Sequence, residues 1–336
     1  MPENRVTVAI PTLAADAKLA DCVRSLAEQT RRDFEVVIID NSGQRLARQR
    51  LGGEGLYIIE NKSNRGFGAA VNQAYARSQA PFLATLNDDA VADPRWIEEL
   101  LAAMESSPEV GMCASQVLLA GQNGLDSAGM LICGDGSSKQ RGHGACPGEY
   151  DRVEEVLLPS GSAALYRRAM LDEIGGFDED FFLYCEDTDL GLRARWAGWK
   201  CLYAPRAVAY HHYSHSAGRA SPLKAYYVER NRLFLLVKNF PLGNLMAAPL
   251  VTMARYGWHA ASLLRGRGPA ARYREDGHGA LSLAALAIRA HGSLLLNWRT
   301  LLAKRRAIAR TARITPGAFA ELLRRHAIGA REVAEL

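Results

Sequence analysis

Phe34-Glu-Val-Val-Ile-Ile-Asp-Asn-Ser42 is a short, nearly all-apolar run that stops at an aspartate. A run of this length, dominated by β-branched residues, reads as a strand buried on both faces, and such strands belong to a mainly parallel sheet covered by helices. Working outward, Arg5-Val-Thr-Val-Ala-Ile10, closed by Pro11, is a first strand, Leu56-Tyr-Ile-Ile59 a third and Phe82-Leu-Ala-Thr-Leu86 a fourth. Leu19, Cys22, Val23 and Leu26 fall at helical spacing, and residues 66–76 read as a second helix. The alternation predicts an α/β fold with helices flanking a mainly parallel sheet. Pro94 is expected in the first turn of a further helix with Asp93 as its cap, and residues 186–196 form another strong helical stretch. Between them, residues 121–150 are glycine-rich and predict a long loop or irregular hairpins.

The chain has 336 residues, enough for one large domain with a smaller part or for two domains. With 48% hydrophobic and 23% charged residues it is globular, which excludes disorder, collagen and coiled coil for its bulk. Its net charge of +5 is small, but unevenly spread. Residues 245–336 hold 15 Lys and Arg against 5 Asp and Glu, while the remainder holds 26 against 31. An acidic body thus carries a basic, Ala-, Leu- and Arg-rich helical tail, a pattern suited to an anionic surface. The six cysteines lack C-x-x-C spacing and are too sparse for a disulfide scaffold, so they read as reduced thiols of a cytoplasmic protein. No secretory leader is expected, and no uncharged apolar run reaches the length of a spanning helix, the segment 239–254 being broken by Pro241, Gly243 and Pro249.

In open α/β sheets ligands bind beyond the carboxyl ends of the strands. The residues there are Pro11-Thr12, Asp40-Asn-Ser42 and Asn87-Asp88-Asp89. One Asp after a strand is usually a cap or turn residue, whereas two in one sheet, one of them a doublet, weigh equally for a function. Asp88-Asp89 suits a hard divalent cation that shares its shell with substrate phosphates. Asn64-Arg65-Gly66 precedes a helix and offers backbone N–H groups and a guanidinium to an anion, although it matches neither G-x-G-x-x-G nor a Walker loop. Glu186-Asp-Thr-Asp189 opens a helix, where capping competes with a general base. His211-His212 and His215 follow the apolar run 207–209, where a structural role competes with a metal or phosphate role.

Five segments in order resemble the inverting family 2 glycosyltransferases of GT-A fold, most strongly a bacterial rhamnosyltransferase-like branch. They are Ala9-Ile-Pro-Thr12, Val37-Ile-Ile-Asp-Asn-Ser42, Asn64-Arg-Gly-Phe-Gly-Ala-Ala-Val-Asn72, Leu86-Asn-Asp-Asp89 and Gly175-Gly-Phe-Asp-Glu-Asp-Phe-Phe-Leu-Tyr-Cys-Glu-Asp-Thr-Asp-Leu190, the last continuing through Arg193 to Gly198-Trp199. The likeness covers about residues 5–240. It implies a GT-A catalytic domain over 1–240, with a nucleotide-binding part to about 120 and an acceptor part to about 240, then a helical basic region over 241–336. It implies that Pro11, Thr12, Asp40, Asn64, Arg65, Gly66 and Asp88 hold the donor nucleotide, that Asp89 and His211 hold Mg²⁺ or Mn²⁺, that Asp187 is the catalytic base with Glu186 beside it, and that Gly161 lets the acceptor approach the donor sugar. The metal motif departs from the family's D-x-D at Asn87, which suggests a loosely held cation, and the doublet leaves His211 against His212 open.

The expected reaction moves a sugar from a nucleotide diphosphate, dTDP-rhamnose first and UDP sugars next, to a hydroxyl of a glycan or lipid-linked acceptor in cell-surface polysaccharide synthesis. A non-catalytic sugar-nucleotide-binding or scaffold protein at the membrane competes with this reading, as does a nucleotidyltransferase, although Pro11-Thr-Leu-Ala-Ala15 lacks the latter's phosphate loop. In the tail, residues 281–302 have helical apolar spacing with Trp298, basic residues follow, and no Asp or Glu occurs between Gly277 and Ala320. This is expected to dock on the inner face of the plasma membrane, against packing on the body or on a second copy of the chain. Nucleic acid is not expected, since the tail has few aromatics to stack bases.

Overall fold

Residues 4–52, 56–212 and 221–336 are described by the computed structural model. In chain order the strands are β1 (Val6–Thr12), β2 (Phe34–Asp40), β3 (Tyr57–Glu60), β4 (Phe82–Leu86), β5 (Ala90–Ala92), β6 (Val110–Leu119), β7 (Leu125–Ser127), β8 (Met130–Ile132), β9 (Ser138–Gln140), β10 (Glu154–Val156), β11 (Ala163–Arg167) and β12 (Lys200–His211). The helices are α1 (Ala17–Ala27), α2 (Leu46–Leu51), α3 (Phe67–Arg77), α4 (Trp96–Glu105), α5 (Arg168–Ile174), α6 (Glu186–Trp196), α7 (Pro222–Asn239), α8 (Leu242–Leu264), α9 (Gly268–Glu275), α10 (Ala280–Thr311), α11 (Pro316–Arg325) and α12 (Ala330–Glu335).

The chain forms two compact units, Met1–Met130 with Gln140–Ser216, and Leu131–Lys139 with Ala217–Leu336. Helix α7 belongs to the second of these units.

The first unit is built on a sheet of order β10-β12-β6-β11-β4-β1-β2-β3. Strands β4, β1, β2 and β3 run parallel, as do β6 and β12, while β11 lies antiparallel between β4 and β6. Alternate strand residues enter different cores, Val8, Ile10 and Ile38 on one face and Ala9, Val37 and Ile39 on the other. Apolar residues at both parities are what a sheet covered on both faces needs. The first face packs against α1 and α4, the second against α3, α5 and α6. Register sets the ligand edge: Thr12 lies opposite Asp40 and Ala9 opposite Thr85, so the chain after β4 leaves the sheet at that same edge. Short β5 pairs antiparallel with β12, with Ala90 opposite His211. Helix α4 starts two residues later than expected; Asp93 accepts hydrogen bonds from the Arg95 and Trp96 N–H groups instead of capping a helix begun at Pro94.

The second unit is helical apart from β8–β9, residues 131–139 of that ribbon, which bridge to the tail at Ile132 and Ala327. Cys133 packs with Ile328 and Val333. The buried Arg232 of α7 and Arg255 of α8 converge on buried Asp135 and on Glu229. No helix among the described residues is long and apolar enough to cross a membrane. All six cysteines are free thiols.

Candidate active site

The site forms where β1, β2, β4 and β12 end. Buried Thr12 donates its hydroxyl to Asp88 Oδ2 at 2.5 Å and accepts the Ala15 N–H at 3.1 Å, so the ends of β1 and β4 are tied side chain to side chain. Burial raises the Asp88 carboxyl to about 6, against the Thr12 hydrogen bond and with help from the charges of Asp89 and Asp16. Pro11 directly precedes Thr12 within β1. Asp40 is buried with both oxygens engaged: Oδ1 accepts the Ser42 N–H and Oδ2 the Ala47 N–H, each at 2.8 Å. It thereby ties the loop after β2 to α2.

Gly66 precedes α3 at φ +86°, and a Cβ there would lie 2.1 Å from the Phe182 carbonyl oxygen. The Asn64 side chain accepts the Gly66 N–H at 2.9 Å, and Phe182 accepts the Phe67 N–H at 3.0 Å. Arg65 is exposed and pairs with Glu179 at 3.8 Å. The anion-facing turn expected from Asn64-Arg65-Gly66 is thus also a packing joint against the segment that leads into α6.

Three non-glycine residues before α6, Phe182, Tyr184 and Cys185, adopt left-handed φ of 61°, 68° and 66°. Such strain persists only where the surroundings enforce it, and it gathers at functional sites. Its result is the presentation of Asp187. Oδ2 accepts the Gly161 N–H at 2.9 Å, and Oδ1 accepts the Thr188 N–H at 2.6 Å and the Thr188 hydroxyl at 3.2 Å. A Cβ at Gly161 would lie 3.2 Å from the Asp187 Cβ, so the glycine permits this close seat. The structure thus places Gly161 on the carboxylate itself. Burial pushes the Asp187 carboxyl up, against these donated hydrogen bonds. Neighbouring Glu186 is buried, and its Oε2 has no hydrogen-bond partner. Burial and the charge of Asp187 lift Glu186 to about 8. Burial thus favours the neutral form at both carboxyls; at Asp187 the Gly161 and Thr188 donors oppose it, while Glu186 has an oxygen with no hydrogen bond to do so. Asp189 plays a different part, pairing with Arg193 at 2.8 Å in a buried ion pair whose guanidinium also donates to the Ile174, Gly175 and Gly176 carbonyls.

At the end of β12, His211 is buried and Nε2 lies 3.2 Å from Asp89 Oδ1. Its Nδ1 lies 2.8 Å from Asp126 Oδ2, and Asn87 Nδ2 approaches Nε2 at 3.2 Å. His212 turns its side chain to solvent and uses its backbone N–H on the Asp89 carbonyl. The doublet therefore aims His211 at Asp89, while His215 lies outside the described residues. Burial opposes the imidazolium of His211, but its contacts with Asp126 and Asp89 outweigh that and raise it to about 9. Asp126 also meets His143, 3.2 Å from Oδ1, and despite its burial is held below the usual carboxylate range by the two histidines.

Asp126 and His143 are members of the site that the sequence pattern did not reveal. They sit in the glycine-rich stretch, and the one available signal was the presence of an acid and a histidine there. No group of three or more His, Cys, Asp or Glu poised for a metal occurs among the described residues. Asp89 and His211 form a two-donor set. A carboxylate and an imidazole side by side, the ring held from behind by Asp126, fit a divalent cation that completes its shell with water and substrate phosphate.

Residues 2–233 match the family described as glycosyltransferase like family 2. The chain is 31% identical over 232 residues to an N-acetylglucosaminyl-diphospho-decaprenol L-rhamnosyltransferase of Mycobacterium tuberculosis, covering 60% of this chain and 75% of that one. Among solved structures it resembles GalNAc-T7 with UDP, GalNAc and Mn²⁺, at TM-score 0.60 and 15% identity, over 75% of this chain and 51% of that one. It also resembles the mannosyltransferase PcManGT of Pyrobaculum calidifontis in complex with GDP-Man and Mn²⁺, at TM-score 0.53 and 18% identity, over 91% and 86%. At such identities these two likenesses speak to the fold, which is GT-A.

Proposed function

This chain belongs to the family 2 glycosyltransferases and is a sugar-transferring enzyme, and from that premise we propose that it transfers rhamnose from dTDP-rhamnose, with inversion, to a hydroxyl of a lipid-linked sugar diphosphate. The observation that carries the reaction type is the Asp187 carboxylate, fixed by the Gly161 and Thr188 donors at the start of α6. The name of the mycobacterial relative supports the sugar and the acceptor class.

The donor nucleotide is held beyond the ends of β1, β2 and β4. Pro11, Thr12 and the Asn64-Arg65-Gly66 turn line that edge, Asp40 shapes its loop through two backbone N–H bonds, and Asp88 is braced by Thr12. Asp89 and His211 would hold Mg²⁺ or Mn²⁺, which when bound neutralises the diphosphate and stabilises it as it leaves. Asp187 accepts the proton of the acceptor hydroxyl as that oxygen bonds to the anomeric carbon. The bond from the anomeric carbon to the diphosphate oxygen breaks on the opposite face, and the electron pair leaves with the nucleotide diphosphate. One displacement inverts the anomeric centre and needs no covalent nucleophile. Glu186, neutral, adds no second negative charge behind the base.

The first test is thermal stabilisation by a panel of dTDP and UDP sugars with and without Mn²⁺ or Mg²⁺. A metal-dependent rise with dTDP-rhamnose is expected; a rise with only another donor replaces the sugar. Asp187→Asn should lower turnover by about 10²–10⁴-fold while donor affinity, read by calorimetry, holds. Near-normal turnover in that variant overturns the base assignment.

A further inference from the structure

We propose that the second unit docks on an anionic lipid bilayer through one face formed by α8 and α10. Large apolar side chains exposed to solvent are few in the first unit but recur on these two helices. On α8 they are Leu242, Met246, Leu250, Met253 and Leu264, a stripe that advances by whole turns. On α10 they are Leu281, Ile288, Leu295, Leu296 and Trp298, with 281, 288 and 295 two turns apart. Met246 is 82% exposed and Leu296 87%, which a monomer in water does not repay.

The two helices share a surface feature. A groove of about 430 Å³ runs between Tyr256 of α8 and Ala287, Ile288, Gly292 and Leu295 of α10. Its walls are apolar, because the Tyr256 hydroxyl is turned to Glu229 and His291 Nδ1 lies 2.8 Å from the Ala287 carbonyl. Such a slot admits an acyl or prenyl chain lying along the surface.

Charge selects the occupant. Arg265 and Arg267 follow the α8 stripe; Arg299, Arg306, Arg310 and Arg313 follow that of α10 and are exposed. No acidic residue lies between Gly277 and Ala320. Exposed Trp298, with the Arg299 guanidinium 5.4 Å from its ring, is the amphipathic pair that sits at headgroup level. Apolar stripes beside an excess of cations, 15 Lys and Arg against 5 Asp and Glu over residues 245–336, fit phospholipid bearing negative headgroups, and neither helix can cross the bilayer. A second copy of the chain would bring like charges together across the same face.

The test is flotation of the full chain with vesicles of phosphatidylcholine and phosphatidylglycerol, and with phosphatidylcholine alone. Binding is expected with the anionic vesicles. It should fall at least tenfold on neutral vesicles or in roughly 0.5 M salt, where screening shortens the reach of a charge to about 4 Å. The double variant Ile288→Glu, Leu295→Glu changes side chains already in solvent and should lose binding at least tenfold with its melting temperature kept. Arg299→Glu with Arg306→Glu should lose anionic-vesicle binding to the same extent. Absence of binding, or binding that survives both pairs of changes, overturns the proposal, as does a dimer in sedimentation that Ile288→Glu, Leu295→Glu dissolves. The assay needs no donor sugar, so its outcome is independent of the reaction proposed above.

Discussion

Glu186 and Asp187 are adjacent carboxyls in opposite circumstances. Asp187 is half-buried and receives three hydrogen bonds; Glu186 is buried with an oxygen that receives none. Glu186 therefore rises from an ordinary 4.5 to about 8 through burial and through the charge next to it. Between those two pH values the folded chain binds a proton that the unfolded chain has released, so stability contributed at this position falls as pH rises through that window. Glu186→Gln cannot ionise and should remove the dependence. The expected outcome is a melting temperature that drops from pH 5 to pH 8 in the parent chain and drops less in the variant, with the variant the more stable at pH 8. Equal slopes would place the proton elsewhere. The third acid of the cluster illustrates why residue type alone misleads: Asp189 serves Arg193 and, through it, the carbonyls of the Gly175-Gly176 turn.

At the level of elements, helix α6 owes its position to the turn before it, and that turn rests on the start of α3. Gly66→Ala would meet the Phe182 carbonyl at 2.1 Å and would hold a side chain at φ +86°. A loss of more than about 1–3 kcal/mol is expected, read by urea unfolding, together with weakened activity because Asp187 moves with the turn. A tolerated Gly66→Ala would show that the turn adapts. The parallel strands β1 to β4 and the bounds of α6 were legible in the sequence, since apolar runs closed by Pro or Asp and a helical charge pattern are local signals. Strands β6, β11 and β12 were not. Val110-Gly-Met-Cys-Ala-Ser alternates nothing, Ala163-Ala-Leu favours helix as readily as strand, and β12 is broken by Pro205 and by a register shift between Ala204 and Val208. The same limit applies in the site. Thr12, Asp88, Asp89 and Asp187 stand at element ends, where ligand-facing residues are sought in a sequence, and the structure brings Thr12 to Asp88 and His211 to Asp89. Asp126 reaches His211, and His143 reaches Asp126, by tertiary contact alone, from a stretch whose glycines conceal its strands.

For the whole molecule, the second unit gains specificity from charge inside it. Asp135 is fully buried, and burial is outweighed there by Arg255 and Arg232, which hold its carboxyl below the usual range. Glu229, half-buried among the same arginines and Tyr256, is held down at about 2 by them. Removing one partner of such a group leaves a charge without compensation, at a cost of about 3–5 kcal/mol. Asp135→Ala is expected to accelerate amide exchange across α7 and α8, while the strands of the first unit keep their protection; unchanged exchange would mean that Glu229 alone neutralises both arginines. Asp135 arrives from the middle of the chain, in the nine residues Leu131–Lys139, whereas Arg232 and Arg255 lie beyond residue 217. Recombination between relatives at a single crossover near that point would transplant two guanidinium groups away from the carboxylate evolved to meet them. Lineages that exchange the tail must exchange the hairpin as well, so those two pieces of gene are expected to be inherited as one.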